Sequence, residues 1–400
     1  MDETADERRG QGPGRAGPLR SVAGARARGL PVMALGVVAL FAGLWGGLIR
    51  LGLTPDTAVA SAAQLHGPLM ALGFLGTLVS LERAVALGRW WGYAAPIGAG
   101  AGALAALAGA PGSLGPALVT LGGLVFLGSH LTLHRLAPSV HNAVMALGAL
   151  AWCAAAAMWV AGLDVSRFAP LLAGFLVLTV AGERLELNRV SHRGQGSRRL
   201  LLAAIALFAA GLAVSIPAER AGVRIAGIGL VAQALWLARH DIARRTVRIG
   251  GVTRFIAVAL LAGYAWLACA GVLWAADAPL GDGAAYDAAL HALFLGFVMS
   301  MVFAHAPVIV PAIVRAPLAH RRRFYVHLTL LHASLAVRLV GGDLAGDRAL
   351  WRWGGVGNEA AILLFLAVTA AGLAGARGGS EARRREQAGA AAIPPAPAHR

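Results

Sequence analysis

Apolar runs follow one another from Leu30 almost to Gly372, separated by short breaks rich in Gly, Pro, Asp or Arg. A bilayer core about 30 Å thick takes roughly 20 apolar residues of helix per crossing. Reading the runs between polar breaks predicts helices near 31–52, 58–82, 93–110, 115–134, 141–162, 168–187, 200–216, 221–238, 254–275, 286–313, 323–341 and 356–375. The pattern leaves no room for a soluble domain between them. It predicts an all-α integral membrane protein of about twelve transmembrane helices, with 31–375 as a single polytopic domain.

Composition agrees. The chain is 58% hydrophobic and 14% charged, with a mean hydropathy of +0.68, too little polar surface for a soluble globule of 400 residues. The solvent it implies is a lipid bilayer. Residues 1–30 and 376–400 are rich in Ala, Gly, Pro, Arg and Glu and cannot bury a core, so both are expected to be disordered tails. The acidic residues Asp2, Glu3, Asp6 and Glu7, with no short apolar segment before the first full-length run, argue against a removable signal peptide. Cys153 and Cys269 each fall inside a predicted helix, where neither a structural disulfide nor a thiol metal pair is expected.

Charge changes the picture in one respect, because it orients the helices. The formal net charge is +16 and all 35 Lys and Arg residues are arginine. In a soluble chain this would suggest nucleic acid; in a membrane chain it follows from the positive-inside rule, and no nucleic-acid partner is expected. With the N-terminus inside, 28 of the 35 arginines fall on the cytoplasmic side. The expectation is a multi-pass protein of the cell membrane with both termini cytoplasmic.

A faint repeat runs through the helices. The second carries Gly73-Phe74 and, nine residues after the glycine, Glu82-Arg83; the sixth carries Gly174-Phe175 and Glu183-Arg184 at the same offset; the tenth carries Gly296-Phe297 and then His305. These segments are four helices apart and share a direction. They suggest three four-helix units around a pseudo-threefold axis, although Gly-Phe is also common in membrane helices by chance.

Ionisable groups at membrane depth are costly and usually face a bundle interior, which makes the 12 histidines the first functional candidates. His66 and His291 lie some eight and five residues below the outer ends of their helices, roughly 7–12 Å deep at 1.5 Å per residue. Two neutral imidazoles at one level suit the axial positions of a b-type haem. Gly67, Gly73 and Gly296 leave room for a flat ring, yet small residues equally serve helix packing, and a lone histidine equally satisfies a neighbouring helix. His305, His327 and His332, and separately His130, His134 and His141, lie toward the cytoplasm. His130 and His134 share a helical face, whereas His327 and His332 diverge, so that only one of them can join His305 at a metal such as copper, zinc or iron. Glu82-Arg83 and Glu183-Arg184 read as interfacial ion pairs, and Glu359 as either a proton-relay carboxylate or a snorkelling side chain.

The segments Leu65-His66-Gly67-Pro68-Leu69-Met70 with Gly73-Phe74, and Ala289-Leu290-His291-Ala292-Leu293 with Gly296, resemble the NnrS family. These are haem- and copper-containing membrane proteins related in outline to subunit I of haem-copper oxidases. The resemblance implies low-spin haem b ligands at His66 and His291 and a second metal, copper, at His305 with His327 or His332. It further implies a small gas or redox ligand and a role in the bacterial response to nitric oxide or nitrosative stress. No His-His pair occurs and the sixth helix lacks the His and Tyr of an oxidase copper centre, which argues against dioxygen reduction. Two other classes remain open: a transporter or permease using its histidines for metal or proton passage, with Pro68, Pro307 and Pro311 breaking helices, and a cofactor-free membrane scaffold.

Overall fold

The computed structural model describes residues 18–54, 60–188, 195–276, 281–314 and 322–391. Every predicted run corresponds to a helix: α1 (Pro18–Arg50), α2 (60–87), α3 (Ala94–Leu107), α4 (Leu114–Leu136), α5 (Val140–Val160), α6 (Val165–Leu187), α7 (Gln195–Ser215), α8 (Glu219–His240), α9 (Gly251–Ala276), α10 (284–314), α11 (Phe324–Leu344) and α12 (Arg348–Ala391). There is no strand among the described residues. Lipid offers no partner to a free N–H or C=O, and a helix satisfies nearly all of them within its own segment.

Eleven of these helices are long and apolar enough to cross a membrane. The exception is α3, a 14-residue helix built on Ala and Gly and entered through a 3₁₀ turn at Trp90–Tyr93. At 1.5 Å per residue it is about 21 Å long, shorter than the run at 93–110 suggests. At the two ends of the chain the helices outrun the apolar segments. Helix α1 starts at Pro18 and α12 continues to Ala391, so 18–30 and 376–391, expected without structure, are helical, while 1–17 and 392–400 lie outside the described residues.

Turns between helices are short, which makes sequential helices antiparallel neighbours. After α5 the chain reverses at Gly162, whose positive φ of 77° allows its N–H to reach Trp159 O at 3.0 Å and that of Leu163 to reach Met158 O at 3.1 Å, as in a Schellman cap. Helix α5 starts at Ser139, whose hydroxyl accepts from the Asn142 N–H at 3.4 Å. One end of the bundle collects the turns near 52, 109, 162 and 346, and among the described residues Arg83, Arg89, Arg135, Arg184, Arg239 and Arg254 belong to the opposite helix ends.

Helix α6 is the most buried of the candidate spans and packs against both α2 and α10 as well as its sequence neighbour α5. Around it lies an aromatic core: Trp152 and Phe175 have ring centroids 4.9 Å apart, and Phe126 sits 5.4 Å from Trp152 and 5.9 Å from Phe175. The buried Trp152 indole donates to Val119 O at 3.2 Å, which meets the requirement that a buried N–H find a partner.

Helix pairs are held close by small residues, since lipid supplies no hydrophobic force between them. In the α7–α8 pair a Cβ on Gly229 would lie 2.5 Å from Phe208 N and 2.7 Å from its Cα. Gly229→Val is therefore expected to lower the unfolding midpoint in detergent, by an overpacking cost of about 1–3 kcal/mol. Gly128→Ala, with nothing within 4 Å of the added carbon, should leave the midpoint unchanged.

Candidate functional site

Two helices depart from regular α geometry at the same motif. In α2 the stretch Leu69–Gly76 is π-helical, and in α10 the stretch Ala292–Met299 is. Each contains its Gly-Phe pair and ends with a hydroxyl residue. The Thr77 hydroxyl donates to Gly73 O at 2.6 Å, and the Ser300 hydroxyl to Gly296 O at 2.6 Å. The backbone N–H groups of Thr77 and Ser300 reach Phe74 O and Phe297 O respectively. These wide turns begin just after His66 and His291. A third, Val337–Leu344 in α11, includes Arg338. Widened turns of this kind are frequent at functional sites.

His66 and His291 line one apolar cavity of about 120 Å³ at the short-turn end, together with Leu44, Met70, Leu172 and Phe294. His66 Nδ1 lies 2.7 Å from Gly43 O, and His291 Nδ1 lies 2.8 Å from Asp287 O. A carbonyl only accepts, so Nδ1 carries a proton in both rings, and an imidazole that holds no second proton has its free lone pair on Nε2. That tautomer, fixed by a backbone carbonyl, is the usual arrangement behind a metal-ligating histidine.

The His291 end is braced by a network that the sequence did not reveal. Asp287, within the run predicted at 286–313, lies in the first turn of α10, which begins at Ala284 after Gly283 at φ 95°. One helical turn before His291, its Oδ1 is 3.3 Å from His291 Nδ1. Arg338 clamps the same carboxylate, Nε donating to Oδ2 at 3.1 Å and Nη2 at 2.8 Å, and the Trp351 indole adds a bond at 3.2 Å. Arg50 and Arg338 both border the cavity. The Glu359 carboxylate borders it too, packed on Gly47 beside the His66 ring: a Cβ on Gly47 would meet Glu359 Oε1 at 2.6 Å and His66 Cε1 at 3.3 Å. It does not snorkel away from the bundle.

A second cavity, about 170 Å³, lies toward the arginine-rich end; Leu75 borders both. It gathers the three residues of the repeat, Glu82, Glu183 and His305. The arginines that follow the two glutamates do not simply cap their own helices. Arg83 of α2 donates to Glu183 of α6 at 3.1 Å, and Arg184 of α6 meets His305 Nε2 of α10 at 2.9 Å. His305 Nδ1 is bound to Met301 O at 2.6 Å, so both ring nitrogens are engaged.

The remaining histidines have separate surroundings. His327 is fully buried among Phe255, Phe303, Phe324 and Phe365, its ring 4.8 Å from that of Phe303. His332 Nδ1 accepts from the Trp266 indole at 2.9 Å. His130 is buried edge-on to Phe126, while His134 accepts from the Ser139 N–H and His141 contacts the Ser139 hydroxyl. Among the described residues no group of three or more His, Cys, Asp or Glu is placed to hold a metal ion.

The family described as "Domain of unknown function (DUF8744)" matches residues 29–374, and the chain belongs to it. No curated protein matches this chain.

Breaking a buried ion pair by removing one partner costs about 3–5 kcal/mol, because the other charge stays buried. Arg338→Met is accordingly expected to lower the unfolding midpoint sharply, and Asp287→Asn added to it should recover part of the loss. A double-mutant cycle read by thermal unfolding in detergent measures the coupling.

Proposed function

We propose that this member of the DUF8744 family is a haem-binding membrane protein resembling NnrS, in which His66 and His291 would hold haem b, with a role in the response to nitric oxide or nitrosative stress. One observation carries the reading: two imidazoles from distant stretches of chain border a single apolar cavity, each with Nδ1 tied to a backbone carbonyl and Nε2 free. The donor set and the apolar walls fit the group. Its enclosed volume is below the roughly 300–1,000 Å³ of ligand pockets, so a macrocycle enters only as flexible walls such as Met70 repack.

In this reading twelve helices span the inner membrane with both termini cytoplasmic, as three four-helix units around a pseudo-threefold axis on which α2, α6 and α10 meet. When bound, haem supplies gas binding or one-electron chemistry. The chain does the rest. Gly43 O and Asp287 hold the two rings in the ligating tautomer, and the Arg338 clamp fixes Asp287. Leu44, Leu172 and Phe294 exclude water. Glu359 places a carboxylate beside His66, where it accepts or returns a proton. Copper at His305 needs Arg184 to release the imidazole nitrogen it now occupies.

The stacking of two cavities about Leu75, with ionisable groups in each, also favours a second reading, an ion-coupled transporter. Optical spectra of the purified protein, oxidised and dithionite-reduced, separate the two. The haem reading expects a sharp low-spin band in the wild type that is lost in His66→Ala and in His291→Ala. A colourless preparation from haem-supplemented cells, or an unchanged band in both variants, sinks it.

A further inference from the structure

The second cavity is lined by three positions at one offset from a Gly-Phe pair, Glu82, Glu183 and His305, and bonds run from one four-helix segment to the next. Unit one's Arg83 serves unit two's Glu183 at 3.1 Å, and unit two's Arg184 serves unit three's His305 at 2.9 Å. A third bond would close the ring, running from the residue after His305 back to Glu82. That residue is Ala306, which lines the cavity alongside Glu82. Among the described residues Glu82 pairs only with its own neighbour Arg83 at 3.8 Å, so that one guanidinium is shared between two carboxylates, and its side chain is 38% exposed. Elsewhere the walls are apolar, including Val37, Leu78, Val302 and Ile309, apart from Thr77 and Thr179, whose hydroxyls are bonded back to Gly73 O and Phe175 O. A carboxylate facing such walls is costly without a cationic partner. The cavity's 170 Å³ far exceeds the ~10–15 Å³ that one water needs.

We infer that this cavity binds a small organic cation bearing N–H donors, a guanidinium or primary ammonium group, which occupies the place of the arginine missing at Ala306 and pairs with Glu82. The shared chemistry has two sources, a soluble cation or the ammonium headgroup of a lipid entering from the bilayer. This site is independent of the haem cavity and does not require haem.

The probe is methylguanidinium chloride, titrated against NaCl of equal ionic strength while the thermal unfolding midpoint of the full chain is followed in detergent and in nanodiscs. In detergent and in phosphatidylcholine nanodiscs a saturable rise beyond the NaCl control is expected. Glu82→Gln, which keeps shape and removes charge, should weaken the apparent affinity about ten- to a hundredfold, the loss of a charge-assisted bond of about 1.5–3 kcal/mol. Ala306→Arg should raise the midpoint without ligand and abolish the response. In nanodiscs containing phosphatidylethanolamine, a blunted response identifies the lipid headgroup as occupant, and a full response a soluble cation. The inference is overturned if the wild type shows no saturable rise in either system, or if Glu82→Gln responds as the wild type does. Should Ala306→Arg not fold, Glu82→Gln decides.

Discussion

Inside a bilayer a polar group has no water to fall back on, and this one constraint shapes everything described above. It makes every regular element a helix, because only a helix closes its own backbone hydrogen bonds. It also gathers the membrane-depth polar side chains into a few places where they meet one another. Asp287, Arg338 and Trp351 share one carboxylate; Asn358 donates to the Ser334 hydroxyl at 2.7 Å; Thr77, Thr179 and Ser300 turn their hydroxyls back to their own helices.

The same constraint explains why both cavities sit where they do. Where α2 and α10 widen into π-turns, extra backbone is accommodated without exposing it to lipid, since the α2 turn packs against α1 and α3 and the α10 turn against α9 and the interior helix α6. Histidines enter from one end of those turns and the repeat residues leave from the other. The result is two chambers back to back: one bordered by two imidazoles, Arg338 and Glu359, the other by two carboxylates and an imidazole. Leu75 is the shared wall.

Legibility varied with the range of the interaction. Helix positions were readable to within a few residues at most ends, because an apolar run needs no knowledge of its neighbours. The Gly-Phe spacing was readable as well, and the three residues nine positions after its glycines, Glu82, Glu183 and His305, border one cavity. The pairing among them was not: each Glu-Arg dipeptide looks like a local ion pair, whereas Arg83 reaches across 100 positions to Glu183 and Arg184 across 121 to His305. The brace on His291 was not legible either, because Asp287 meets Arg338 only across 51 positions of chain. Arg338 drew no attention, though a lone arginine in an apolar run was a signal that it had a buried partner. His327 and His332 looked available to a metal with His305, yet one lies in an aromatic box and the other against Trp266.

Composition and periodicity alone determined that this chain is helical and apolar enough for a membrane, since transfer free energy and helix length are sums over local residues. They determined also which ionisable groups lie at depth. Only the tertiary structure decided which of those groups meet: that His66 and His291 border one cavity, that Asp287 braces a histidine, that Arg83 serves Glu183 and Arg184 serves His305. Contacts of that kind depend on helix rotation and on where turns widen, and those are set by packing among all the helices together.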